Sequence, residues 1–151
     1  MAKSAVLVAG LALCSVIGCN GPLPFLTGGR LHGEVRPAPA SWAFPEDFGV
    51  IQLETDPEDP YSVNIAYTQL DSRLYVYAGD TKTRWVQNME ADPRVRFRIG
   101  DVIYELEAER VTDGAESNAF ARAWVDHSVF HRDPATLDER WLYRLVARTR
   151  D

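Results

Sequence analysis

Cysteine, lysine and long apolar runs are all scarce in this 151-residue sequence, and each scarcity excludes something. The two cysteines, Cys14 and Cys19, both stand near the start. Everything after Cys19 has no thiol with which to close a disulfide, so the fold must rest on a packed core. Lysine occurs only as Lys3 and Lys82, and arginine supplies the rest of 16 cations set against 22 acids. Without residues 1–18, which hold Lys3 and no acid, the balance is 15 minus 22, or −7. That argues against nucleic acid or anionic headgroups as the main partner. The longest run of apolar or small residues, Ala5 to Gly18, is shorter than the ~20 residues that span a bilayer. There is no internal repeat and no Gly-x-Ser-x-Gly nucleophile motif.

The first segment has one cation and then that apolar run, the pattern of an export signal over residues 1–18. Val16-Ile17-Gly18-Cys19 resembles the lipobox of bacterial lipoproteins, which implies acylation of Cys19 and an exported, membrane-anchored protein of the periplasm, outer membrane or cell surface. Cys14 fails the same test because Leu13 precedes it. By resemblance to sorting patterns, Asn20 favours the outer membrane. Acyl chains bind at ~0.8 kcal/mol per buried CH₂, so two on one cysteine suffice without a transmembrane helix. Residues 19–41 hold Pro22, Pro24, Pro37, Pro39 and four glycines, and read as a semi-extended tether with a short strand at Arg30 to Val35. Residues 42–151 read as one domain.

Within that domain the apolar pattern is mostly period two. Strands are expected at Phe48 to Thr55, Ser62 to Gln69 and Arg73 to Ala78, with a turn-rich Asp56 to Pro60 after the first and a hairpin turn at Leu70 to Ser72. Arg94 to Ile99 and Val102 to Glu109 flank Gly100-Asp101, a two-residue connection suited to a primed turn. Counting outward pairs Ile99 with Val102, Arg96 with Glu105, Arg94 with Glu107, Phe97 with Tyr104 and Val95 with Leu106. One face is then charged and expected to be solvated, and the other is apolar. A last strand is expected at Trp141 to Arg148. Helices are expected from Thr81 to Ala91, with Asp80 or Thr81 as N-cap and Pro93 as stop, and from the Asp113/Glu116 capping box toward Phe130. Trp85, Trp124, Trp141 and Tyr143 read as core. The sum is an α+β fold, a mainly antiparallel six-stranded barrel with two short helices.

Chemistry concentrates where a strand ends in Gly79-Asp80 and a loop opens a helix. Free N–H groups at a helix start attract anions. Thr81 and Thr83 offer hydroxyls, and Lys82 and Arg84 offer charge for a phosphate. The plainer reading makes the threonines caps and the cations solvated. His127 and His131 are spaced as a zinc pair, but Ser128 stands where a glutamate would follow, and helix-end histidines are the better reading.

Trp85-Val-Gln-Asn88-Met-Glu-Ala-Asp-Pro-Arg-Val95, followed by the strand hairpin and Val111-Thr112-Asp113, resembles the split β-barrel flavin-binding family. Its members include pyridoxamine 5′-phosphate oxidase-like proteins and deazaflavin-dependent nitroreductases, and Trp85 leans the likeness toward the latter. The resemblance implies FMN or F420 held by Thr81, Lys82, Thr83, Arg84, Trp85 and Asn88, with the ring near the backbone of 64–68 and 75–78. It also implies a homodimer and hydride transfer to a small molecule, the cofactor carrying the chemistry; no catalytic side chain is singled out. The chain departs from the pattern in lacking a proline before Trp85, and its export separates it from cytosolic cofactor supply. The competing expectation is a cell-envelope module that has kept the barrel and lost the cofactor.

Overall fold

A computed structural model describes residues 21–23, 26–127 and 141–149. Seven strands and two helices follow in chain order: β1 (Glu34–Arg36), β2 (Phe48–Thr55), β3 (Tyr61–Leu70), β4 (Arg73–Ala78), α1 (Arg84–Ala91), β5 (Arg94–Ile99), β6 (Val102–Arg110), α2 (Gly114–His127) and β7 (Trp141–Ala147). The sheet order is β1-β6-β5-β2-β3-β4-β7, and a further β6–β7 pairing closes six antiparallel strands into a barrel. Closure leaves no open edge among the six. β1 is an addition, running parallel to β6.

Turn chemistry and alternation set the pairings. Gly100 adopts a φ of 56° and turns the β5–β6 hairpin, and all five expected pairs form, from Ile99 with Val102 to Arg94 with Glu107. Asp71 and Ser72, both at positive φ, turn β3 into β4. Inward residues Leu53, Phe97, Leu106 and Leu145 are almost wholly buried, and Trp42 from the segment before β2 closes the barrel with its ring edge-on to Tyr104. α1 plugs the barrel through Val86 and Met89. α2 lies on the outer face of β4 and β7, where Phe120 and Trp124 pack on Tyr75, Tyr77 and Leu142.

Three expectations about local structure are corrected. Helix α1 starts at Arg84 with Thr83 as N-cap, not at Thr81. Asp80 instead ties a preceding turn: its carboxylate accepts the Lys82 N–H and its carbonyl accepts the Thr83 hydroxyl. Second, the capping box at α2 is half formed. Asp113 accepts the Glu116 N–H, but the Glu116 carboxylate turns away to Tyr75 and Arg144.

Third, the charged face of the β5–β6 hairpin is not fully solvated. Arg96 reaches across to Glu54 on β2, whose side chain is 3% exposed, at 3.1 Å. The N-terminal segment covers that pair. Glu54 accepts the Leu31 N–H, Arg96 donates to the Leu31 carbonyl, and Leu31 is buried. Residues 21–23 and 26–36, expected to form part of a tether, thus lie against the barrel. Gly28 exchanges backbone hydrogen bonds with Ser62, and Gly33 sits where a Cβ would fall 2.5 Å from the Asp101 carbonyl oxygen. The short strand expected at Arg30 to Val35 forms at Glu34–Arg36.

Candidate functional site

The expected binding residues share one connection. β4 ends at Ala78, residues 79–83 turn, and α1 carries Arg84, Trp85 and Asn88. Their side chains do different things. Thr81 is buried, and its carbonyl accepts from Gln87. Lys82 is exposed, with no side-chain hydrogen bond or ion pair among the described residues. Thr83 is half-buried and ends the turn with its hydroxyl on Asp80. Trp85 packs partly buried against the core. Asn88 points to the barrel end, donating to the Thr55 hydroxyl at 3.0 Å.

Arg84 faces the β2–β3 turn. Its guanidinium pairs with Asp59 at 2.8 Å and lies 4.5 Å from the centre of the Tyr61 ring, and it is half exposed. The sequence showed Asp59 only as a turn residue and left Tyr61 just before the expected strand, because they stand 25 and 23 positions before Arg84. Together with Leu23, Leu26 and Gly28 these three line a cavity of about 420 Å³ between the N-terminal segment and the helix start. α1 has no acid in its first turn to oppose an anion there. β3 and β4, whose backbones the resemblance places near a ring, pair as Tyr67 with Val76 and Thr68 with Tyr75.

The far end of α1 is clamped. The Tyr143 hydroxyl donates to Glu90 at 2.6 Å, and burial, then the Glu90 carboxylate, push the phenol far above its ordinary value. Arg110 stacks 3.7 Å from the centre of the Trp141 ring and lies 3.7 Å from Glu90. These contacts hold the helix at a set angle, which fixes where Lys82 and Arg84 stand. A second cavity of about 300 Å³ lies under α2, lined by Tyr77, Val111, Ser117, Asn118, Phe120 and Leu142. Of the histidine pair, the His127 side chain and all of His131 lie outside the described residues, and among the described residues no cluster of ligating side chains can hold a metal.

The model of a family described as F420H(2)-dependent quinone reductase matches residues 63–143, more than half of the chain. This chain belongs to that family. The match runs from β3 through the 79–83 turn and α1 to β7, so it contains the turn and helix residues of the candidate site, while Leu23, Leu26, Gly28, Thr55, Asp59 and Tyr61 lie before it. No curated protein matches the sequence. Solved structures share the fold at low identity. A protein of unknown function from Agrobacterium tumefaciens is 21% identical with a TM-score of 0.55, over 66% of this chain and 48% of that one. The chain therefore spans about half the length of that relative. An FAD-binding protein from Mesorhizobium loti is 20% identical, TM-score 0.50, over 66% and 79% of the two chains. An F420-H2 dependent reductase is 15% identical, TM-score 0.53, over 77% and 99%. These structures share the barrel fold of this chain.

Proposed function

We propose that the chain is an oxidoreductase that binds F420 or FMN at the 79–85 turn and passes hydride between it and a small quinone- or nitro-type acceptor. In this reading it works as a homodimer anchored in the cell envelope through Cys19. The observation that carries the reading is the family match across the turn that bears Lys82 and Arg84. The residues present suit an anionic cofactor: one exposed ammonium without an ion pair among the described residues, one guanidinium beside a cavity, and a first helical turn without acids. Lys82 and Arg84 would neutralise a phosphate and Thr83 would orient it, while Trp85 and the barrel end exclude water. The bound cofactor supplies the hydride chemistry.

One observation favours the competing reading, a cell-envelope module without cofactor: Arg84 already has a carboxylate partner in Asp59. Titration of the detergent-solubilised protein with FMN and with F420, followed by cofactor fluorescence, separates the two. Micromolar saturation is expected with one of them. The Lys82→Ala/Arg84→Ala double variant should bind at least ~10-fold more weakly, since a hydrogen bond to a charged group contributes about 1.5–3 kcal/mol. Absence of binding to either cofactor by the unaltered protein would leave the module reading.

A further inference from the structure

The N-terminal segment determines how far the barrel stands from anything attached at Cys19. A free tether over residues 20–41 would let the barrel range over roughly 25 Å, from ~5–6 Å times the square root of its length. That freedom is absent, because the segment is fastened at Pro22 and Leu23 and again at Gly28, Gly29 and Leu31. The Pro22 carbonyl accepts from Gln52 at 3.1 Å, the Leu23 carbonyl accepts from Asn64 at 2.9 Å, Ser62 donates to Gly29 at 2.7 Å, and Leu31 is locked over Glu54. From Cys19 to Pro22 the chain reaches only about 10–11 Å when fully extended.

Pro22 and Leu23 lie on the outer face of β2 and β3, over the facing pair Gln52 and Asn64. That face carries three of the four exposed large apolar side chains among the described residues: Leu23 at 54%, Leu26 at 62% and Val50 at 68%. Val50 stands one outward position from Gln52 along β2, and Leu26 closes a turn back onto the Leu23 carbonyl. No helix among the described residues is long and apolar enough to cross a membrane.

We infer that this face, bearing Leu23, Leu26 and Val50, docks on the lipid surface that holds the acylated Cys19. The inference rests on the lipid-anchor part of the proposed function and adds an orientation to it. The short reach holds the face within about 10 Å of the headgroups, and an apolar patch sinks ~5–10 Å into that boundary. α2 covers β4 and β7 beside this face and reaches β2 at Phe48, whose ring lies 5.5 Å from that of Trp124, so α2 flanks the docked surface and does not form it. The cavity beside Arg84 shares Leu23 and Leu26 with the docking face, so it opens at the membrane surface, where a lipid-soluble acceptor would reach it directly.

Nitroxide labels test the orientation in full-length protein expressed with its leader and reconstituted into vesicles of phosphatidylcholine and phosphatidylethanolamine. With Cys19 acylated, Val50→Cys, Leu26→Cys and Asn118→Cys each offer one labelling site. The labels at 50 and 26 should collide several-fold more with oxygen than with a water-soluble nickel chelate, and the label at 118 on α2 should do the reverse. Labels at 50 and 26 as aqueous as that at 118, on protein that floats with the vesicles, overturn the docking face and leave the anchor standing. Dipolar broadening between labels at 50 also overturns it, because a second copy then covers the patch. Protein that stays in solution with an unmodified Cys19 by mass spectrometry removes the anchor reading, and the docking face falls with it.

Discussion

Glu54 shows how much a single residue carries here. Its carboxylate is 3% exposed, takes an N–H from Leu31, and meets Arg96 at 3.1 Å and Arg30 at 3.8 Å. Removing one partner of a buried pair leaves the other charge uncompensated, at a cost of about 3–5 kcal/mol. Glu54→Ala should therefore lower the unfolding midpoint in denaturant strongly, and Glu54→Gln, which keeps an acceptor for Leu31, should lower it less. Equal losses would mean that the charge is not what matters. Tyr143 makes a prediction about pH. Its folded-state pKa is raised, by burial first and Glu90 second, so the neutral phenol is favoured by folding. The stability this contributes is complete below the unfolded value near 10 and drains away as pH rises above it. Tyr143→Phe should flatten that alkaline loss, measured as thermal midpoints from pH 8 to pH 11. At neutral pH it should cost about 1 kcal/mol for the lost hydrogen bond.

At the level of elements, the hairpin β5–β6 and the helix α2 differ in what holds them. The hairpin is specified locally by Gly100 and by alternation, so its register needs no help from the rest of the barrel. α2 depends on a cap and on distant partners. Asp113 holds the Glu116 N–H at 2.7 Å, and Glu116 in turn takes the Tyr75 hydroxyl at 2.6 Å and Arg144 at 2.9 Å. Asp113→Ala should cost about 1 kcal/mol, as cap removals do. Because the cap positions Glu116, the same variant should speed amide exchange in the first turn of α2 and leave the β5–β6 amides unchanged. Uniform loss of protection across both would show that α2 and the hairpin open as one unit.

For the whole molecule, cofactor binding must show up as stability if the site is real. A ligand that binds only the native state at ~100 times its Kd adds about 2.7 kcal/mol. The thermal midpoint should climb with FMN or F420 concentration, and the climb should be lost in the Lys82→Ala/Arg84→Ala variant. An unchanged midpoint at millimolar cofactor would count against the site. Closure by β6 and β7 makes the barrel one cooperative body, so the shift should appear as a single transition rather than as local tightening.

What the residues alone determined is what short-range rules control. The β5–β6 register, the extent of β2 and β4, the stop of α1 before Pro93 and the α+β barrel class all follow from period-two alternation, turn residues and a helix breaker acting within a dozen positions. The loop bearing Thr81, Lys82, Thr83 and Arg84 was visible for the same reason, as charge and hydroxyls packed into consecutive positions. What only the tertiary structure decided spans long separations. Arg84 meets Asp59, Arg96 meets Glu54 under Leu31, and β1 lies parallel on β6, all joined across 25 to 68 residues with no local signal that links the two ends. Burial there depends on barrel closure, which brings both partners to one face. The N-terminal segment shows the difference most plainly: proline and glycine make it look like a tether, and the carbonyls they leave free are what Gln52, Asn64, Ser62 and Arg96 bind.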